Sequence, residues 1–129
     1  MRSVRVFIVD DSAFIRARLI TMLHNHKGVE IIGQSESAIT APESIRLLKP
    51  DVVILDIGLK GGSGIDVLQT IKEFSPSPVT IMLTNYSQPK FRDWVKNAGG
   101  DFFFDKSTEF DKAIDVINEM TSALTLIEQ

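Results

Sequence analysis

Five polar side chains stand where apolar runs end. "VRVFIVDD" closes on Asp10 and Asp11, "DVVILDI" carries Asp56, "VTIMLTN" places Thr84 and "DFFFDK" places Lys106. Two adjacent carboxylates about 4 Å apart repel by roughly 4 kcal/mol at a near-surface effective dielectric. Three that converge without a cation drive at least one pKa upward. A hard divalent ion removes the conflict, and a few carboxylates, a carbonyl and waters are the ligands that Mg2+ prefers. Such sites commonly join protein carboxylates to phosphoryl oxygens. A lysine then supplies a compact counter-charge and a threonine hydroxyl a hydrogen bond to developing phosphoryl charge. Asp56 is the candidate nucleophile, because a carboxylate can carry a phosphoryl group as an aspartyl phosphate.

These residues meet only if the elements bring them to one edge. Strand-like runs recur at 4–10, 29–35, 51–57, 79–85 and 101–106, and several are almost continuously apolar, as strands covered on both faces are. Helical spacing fills the intervals. Phe14, Ile15, Leu19, Met22 and Leu23 read as one stripe within 12–26. "TAPE" predicts a helix start, with Thr40 as cap, Pro42 at an early helical position and Glu43 completing a capping box, and Pro50 stops that helix. Further helices are predicted from Gly64 to about Phe74, from Pro89 to about Ala98, and from about Thr108 to near the end. The last carries Phe110, Ala113, Ile114, Ile117, Met120 and Leu124 in a stripe. Strand and helix alternating five times is a βαβ series, hence an α/β fold with a parallel sheet and helices on both faces. In such a sheet ligands bind beyond the carboxyl ends of the strands, where the five polar residues fall.

The totals narrow the classes. The 129 residues suit one domain, with no repeat, low-complexity tract or linker. A formal net charge of -3 with no basic patch argues against direct binding to nucleic acid. With no cysteine, disulfides and thiol chemistry are excluded. The apolar run at the N-terminus is too short for a signal peptide or membrane span, so the expected location is the cytoplasm, without membrane insertion.

The four segments "VDDS", "VVILDIGLKGGSGIDVL", "IMLTNYS" and "FFFDKSTEF", in this order at strand ends, resemble the receiver domain of two-component response regulators, the CheY-like family, over essentially the whole chain. The resemblance implies a flavodoxin-like (βα)5 fold with strand order 2-1-3-4-5. It makes Asp56 the phosphoacceptor and Asp11 a direct Mg2+ ligand, with Asp10 acting mostly through water and the Gly58 carbonyl completing the protein's share. Lys106 would pair with phosphoryl oxygens, Thr84 would turn toward the phosphoryl group, and Phe103 matches the aromatic switch position. The implied partners are a histidine kinase or histidine phosphotransfer protein as donor and a downstream protein target. Output would leave through the face made by the fourth helix, fifth strand and fifth helix. The implied chemistry is self-catalysed phosphorylation and dephosphorylation only, so the domain is not an enzyme acting on an outside metabolite.

Several positions depart from the pattern. Ser107 follows Lys106 where many members have proline, and is free to cap the last helix; Lys60 stands where others have proline; Asn85 follows Thr84 where a small residue is usual. Gly58 and Tyr86 occupy positions resembling the family's tuning sites for phosphoryl lifetime. Plainer roles exist for single residues. Asp10 and Asp11 suit the N-terminus of a helix, His24 and His26 suit a solvated helix end, and Phe91 and Trp94 suit core contact with one ring exposed. No output domain is expected within 1–129, so the signal is expected to pass by protein contact, a homodimer through the long fifth helix included. The alternatives are a pseudo-receiver that binds partners without phosphorylation, and the excised receiver of a larger DNA-binding or enzymatic regulator.

Overall fold

A computed structural model describes residues 2–128, and side chains as far as Leu124. Five strands, β1 (Val4–Val9), β2 (Val29–Ser35), β3 (Val52–Leu55), β4 (Val79–Thr84) and β5 (Phe102–Asp105), alternate with α1 (Ala13–His24), α2 (Ala41–Leu48), α3 (Gly64–Ile71), α4 (Pro89–Asn97) and α5 (Phe110–Glu128). The strands form one parallel sheet in the order β2-β1-β3-β4-β5. A two-residue hairpin, Gly58–Leu59 with Gly62–Ser63, follows β3 and leads into α3.

Alternation along the strands divides the core into two layers. Val4, Val6 and Ile8 of β1 pack with Val52, Ile54, Ile81 and Leu83 against Leu19 and Leu23 of α1 and against Phe110, Ala113, Ile114 and Ile117 of α5. Phe7 and Val9 point the other way and pack with Val53, Leu55 and Met82 against Ile45 of α2, Val67, Leu68 and Ile71 of α3 and Val95 of α4. Each fully buried side chain of this kind contributes about 1.5–3 kcal/mol relative to exposure. Removing the long apolar runs from water is therefore what holds their carboxyl ends in line. Among the described residues no helix is long and apolar enough to cross a membrane.

Local details correct the sequence expectations. Phe14 does not join the α1 stripe: it is 76 % exposed while Leu19 and Leu23 are fully buried. It precedes Leu19 by five residues, which at 3.6 residues per turn puts it about 140° around the helix. Thr40 does not cap α2, because it has helical φ and ψ and its hydroxyl instead meets that of Ser35 at 3.1 Å. Ser37 accepts the Ile39 and Thr40 N–H groups, and Glu43 bonds Arg46 rather than closing a capping box. The helix ends before Pro50 as expected, with Lys49 left-handed at φ 51. α3 stops at Ile71, since Glu73 and Phe74 bond back three residues and Ser75–Pro76 forbids continuation. α5 starts at Phe110, because Asp105 Oδ1 takes the Ser107 and Thr108 N–H groups and turns the chain; Ser107 does not cap it. Gln129 lies outside the described residues.

Candidate functional site

The carboxyl ends of β1, β3, β4 and β5 meet in a cleft. Pairing of β1 with its neighbours runs one step past the strand: Asp10 N–H donates to the Ser35 carbonyl at 3.0 Å, and Asp56 N–H to the Val9 carbonyl at 3.0 Å. At the other side Lys106 N–H donates to the Thr84 carbonyl at 2.9 Å. These bonds fix the backbones of Asp10, Asp56 and Lys106 to the frame. Ser12 then caps α1, its hydroxyl accepting Ile15 N–H at 3.2 Å, and its own N–H donates to Asp10 Oδ1 at 2.8 Å. Gly64 allows the last close approach, since a Cβ there would lie 1.8 Å from the Asp56 carbonyl oxygen.

Lys106 binds two acids at once. Its Nζ donates to Asp10 Oδ2 at 2.8 Å and to Asp56 Oδ2 at 2.7 Å. Asp10 and Asp56 are buried, whereas Asp11 is exposed at the cleft mouth. One carboxylate oxygen from each of Asp10, Asp11 and Asp56 lies within 4.8 Å of the others. Burial raises the Asp10 pKa above the ordinary carboxylate value, and the bonds from Lys106 and Ser12 only partly oppose it. Burial works against the Lys106 ammonium, but its hydrogen bonds to Asp10 and Asp56 and their charges outweigh it and hold that pKa above the usual lysine range. Three carboxylates facing one ammonium leave an excess of negative charge, and their oxygens converge. That donor set fits a hard divalent cation such as Mg2+, with coordination positions left for water and an anion's oxygens.

The cleft, about 500 Å³, is lined by Asp11, Asp56, Gly58, Asn85, Tyr86 and Lys106 among others. Asp10, Asp11, Asp56 and Lys106 are thus brought together, with Gly58 at the wall and its N–H 3.4 Å from Asp56 Oδ1. Thr84 is adjacent but fully buried, and its hydroxyl accepts Tyr86 N–H at 3.2 Å instead of lining the cleft. Phe103 is half-buried in the layer of α3 and α4, and the Arg92 guanidinium lies 4.5 Å above its ring. Phe102 and Phe104 stack together on the other face, as alternation requires. Lys60 pairs with Glu36 at 3.0 Å on the hairpin, and Trp94 is the exposed ring of the Phe91–Trp94 pair.

Two contacts escape sequence reasoning. The Ser107 hydroxyl donates to Asn85 Oδ1 at 3.1 Å, joining two positions 22 residues apart that are individually unremarkable in the sequence. Arg92 reaches from α4 to the Ser87 carbonyl at 3.2 Å and to Glu109 at 3.6 Å. A basic residue on the rim of α4 carries no local signal of either partner.

The sheet order defines a flavodoxin-like doubly wound domain, and the acids at its strand ends form a donor set that fits a hard divalent cation. The chain belongs to the response regulator receiver domain family, whose family model matches residues 6–118. The family works as a phosphorylation-dependent switch in two-component signalling. Among curated relatives, a protein-glutamate methylesterase/protein-glutamine glutaminase of Idiomarina loihiensis is 30% identical over 128 residues, 95% of this chain and 33% of the relative. A protein of the same description from Carboxydothermus hydrogenoformans is 31% identical over 131 aligned residues, 100% of this chain and 38% of the relative. The chain therefore spans about a third of the length of these relatives. The response regulator domain of Thermotoga maritima CheB superposes with a TM-score of 0.82 at 23% identity, covering 94% of this chain and 98% of that one. A CheY-like receiver domain protein from Methanospirillum hungatei gives 0.83 at 23% identity, covering 95% and 96%. At that identity the likeness shows the fold.

Proposed function

We propose that Asp56 accepts a phosphoryl group from a histidine kinase or histidine phosphotransfer protein, and that the resulting charge switches the face of α4, β5 and α5 for protein output. The observation that carries this is the Lys106 ammonium held between Asp56 and Asp10 at 2.7 and 2.8 Å, with Asp11 completing the triad of oxygens. In the transfer, an Asp56 carboxylate oxygen forms the new O–P bond while the P–N bond to the donor imidazole breaks; that nitrogen keeps the bonding pair and the imidazole takes a proton from solvent. Mg2+, held by Asp11, Asp56 and the Gly58 carbonyl, would supply charge neutralisation for the phosphoryl oxygens. Both oxygens of Asp10 already accept hydrogen bonds, from Ser12 and Lys106, which suits a role through water. Lys106 exchanges its bond to Asp56 for one to a phosphoryl oxygen, Thr84 gives up Tyr86 to reach the same group, and Phe103 moves with it.

The reaction is confined to the domain's own aspartate, so no outside metabolite is turned over. We place the domain in the cytoplasm, acting as a single receiver whose target is a protein; a second copy of the chain docked on α5 is one form of that output. A second reading, the receiver of a larger enzymatic regulator, is favoured by the relatives named methylesterase/glutaminase, in which the matched segment is about a third of the length. The test is intact-mass spectrometry after incubation with acetyl phosphate, with and without Mg2+, on wild type and Asp56→Asn. One added phosphoryl group that needs both Mg2+ and Asp56 is expected. A protein that stays unlabelled, including under rapid-quench sampling, would instead be a pseudo-receiver.

A further inference from the structure

Beside the cleft, two side chains stand where the receiver pattern asks for none of their chemistry, and they are bonded to each other. Asn85 directly follows Thr84 and Ser107 directly follows Lys106. The Lys106 N–H to Thr84 carbonyl bond of 2.9 Å holds these two strand ends together, so the next residues leave as neighbours. The Ser107 hydroxyl then donates to Asn85 Oδ1 at 3.1 Å. Asn85 also lines the cleft that holds Asp56 and Lys106.

A primary amide has an acceptor oxygen at one end and two N–H donors at the other. With Oδ1 facing Ser107, the amide plane is set and its donors are left over, since among the described residues Asn85 Nδ2 donates to no protein acceptor. The acids of this cleft offer acceptors only, and Lys106 already serves two of them. An arriving group with anionic oxygens needs further donors, and the amide nitrogen is one that needs no proton transfer and no loss of an existing bond.

We infer that Asn85 is an additional phosphoryl-binding residue, donating from Nδ2 to a terminal oxygen of the group on Asp56, and that Ser107 is a positioning residue that holds the amide in that orientation. The inference rests on the reading of Asp56 as acceptor. It assigns the cleft a donor from the β4–α4 loop that is conditional on a residue of the β5–α5 loop, so the two loops act on the phosphoryl group as a pair.

The experiment measures two quantities for wild type, Asn85→Ala, Asn85→Asp, Ser107→Ala, Ser107→Thr and the double alanine variant. They are the rate of Asp56 labelling by acetyl phosphate with Mg2+, read by intact mass, and the dissociation constant for beryllofluoride with Mg2+, read by calorimetry. A hydrogen bond to a charged group predicts that Asn85→Ala and Asn85→Asp label about tenfold more slowly and bind beryllofluoride about tenfold more weakly. Ser107→Ala should lose about threefold, a fraction of that bond because only its orientation is relaxed. Ser107→Thr keeps the hydroxyl and should behave as wild type. A merely structural role for Ser107 would add its loss in any background, whereas positioning requires that Ser107→Ala has no effect once Asn85 is alanine. Both positions are exposed, and equal thermal midpoints check that every variant is folded. Asn85→Ala equal to wild type, or faster because a crowding side chain is gone, overturns the inference while leaving Asp56 as acceptor. Wild type that takes no label dependent on Asp56 overturns both.

Discussion

At the scale of single residues the site is an unequal contest between burial and pairing around Lys106. Its ammonium pairs with both Asp10 and Asp56 at the buried sheet edge, at 2.8 and 2.7 Å. Removing one partner of a buried ion pair leaves an uncompensated charge and costs about 3–5 kcal/mol, and the open cleft lowers that here to about 2–4 kcal/mol. Lys106→Ala is accordingly expected to unfold at lower denaturant than wild type at pH 7 in the absence of Mg2+. The pH dependence has a definite sign. Asp10 already titrates above the ordinary carboxylate value because of burial, and loss of the Lys106 hydrogen bond raises it further. Acid that titrates higher in the folded than in the unfolded chain favours the folded form as pH falls toward the unfolded value. The deficit of Lys106→Ala should therefore shrink between pH 7 and pH 5, measured by urea titrations at each pH; a deficit that is constant or grows would mean that Asp10 is not the group left unpaired. The acids and lysine were legible because each ends an apolar run, and the chemistry of like charges at one edge demands a cation. What Thr84 does was not, since its hydroxyl can turn either to the cleft or to the Tyr86 N–H that it binds.

At the scale of elements, α3 is tied to the sheet at both ends, to the end of β3 through Gly64 and to the starts of β4 and β5 through Lys72. Gly64 opens the helix with its Cα so close to the Asp56 carbonyl that an added Cβ would lie 1.8 Å from the oxygen, against backbone that cannot step aside. Gly64→Ala should lower stability by at least about 1–3 kcal/mol through overpacking and should slow labelling of Asp56, because relief can come only by moving the strand end. Stability and labelling both at wild-type level would show that the approach is not needed. At the far end Lys72 donates to Asp101 at 2.5 Å, and Asp101 also accepts Thr80 N–H at 2.8 Å. Burial opposes the Asp101 charge, but Lys72 and Thr80 outweigh it and hold this pKa below the ordinary carboxylate value. A depressed carboxylate stabilises above its unfolded pKa and loses that contribution as pH falls through the folded one. Asp101→Ala orphans the buried Thr80 N–H and should cost about 1–2 kcal/mol at pH 7 once the solvent screening of the half-open ion pair is discounted. The ion-pair part of that difference should fade as pH falls below the ordinary carboxylate range and through the depressed Asp101 pKa, while the part due to the Thr80 N–H persists, because a neutral carboxyl still accepts it. The strands were legible from unbroken apolar runs, and so was the stop at Pro50. The N-terminal cap of α2 was not, because "TAPE" satisfies the local rule for Thr40 while Ser37, farther back, makes the bonds. Phe14 was misplaced for a similar reason: a run of apolar residues at a helix start does not say which of two neighbours faces the core.

At the scale of the molecule, the cleft is connected to the surface of α4 by rings. A Cβ at Gly58 would come within 2.9 Å of Tyr86 Cε2, so the tyrosine ring occupies the space that the glycine leaves beside the loop after Asp56. Tyr86 meets Phe91 edge-on at 5.4 Å between centroids, and Phe91 meets Trp94 edge-on at 5.4 Å. Trp94, the single tryptophan, is 51 % exposed at the end of this series. Edge-to-face pairs are worth about 0.5–1.5 kcal/mol each and are sensitive to ring angle, so a group that enters the cleft beside Gly58 and displaces Tyr86 changes the environment of the indole. Beryllofluoride with Mg2+ should therefore alter Trp94 emission, and Tyr86→Ala should remove that response while leaving the binding itself measurable by calorimetry. Gly58→Ala should shift the emission of the unliganded protein in the same direction, because its methyl group pushes the same ring. Phe102→Ala, on the opposite face of β5, is the control and should keep the response. Should Tyr86→Ala report ligand as wild type does, the path from cleft to surface runs elsewhere, and Arg92, which ties α4 to Phe103 and Glu109, is the next group through which it could pass.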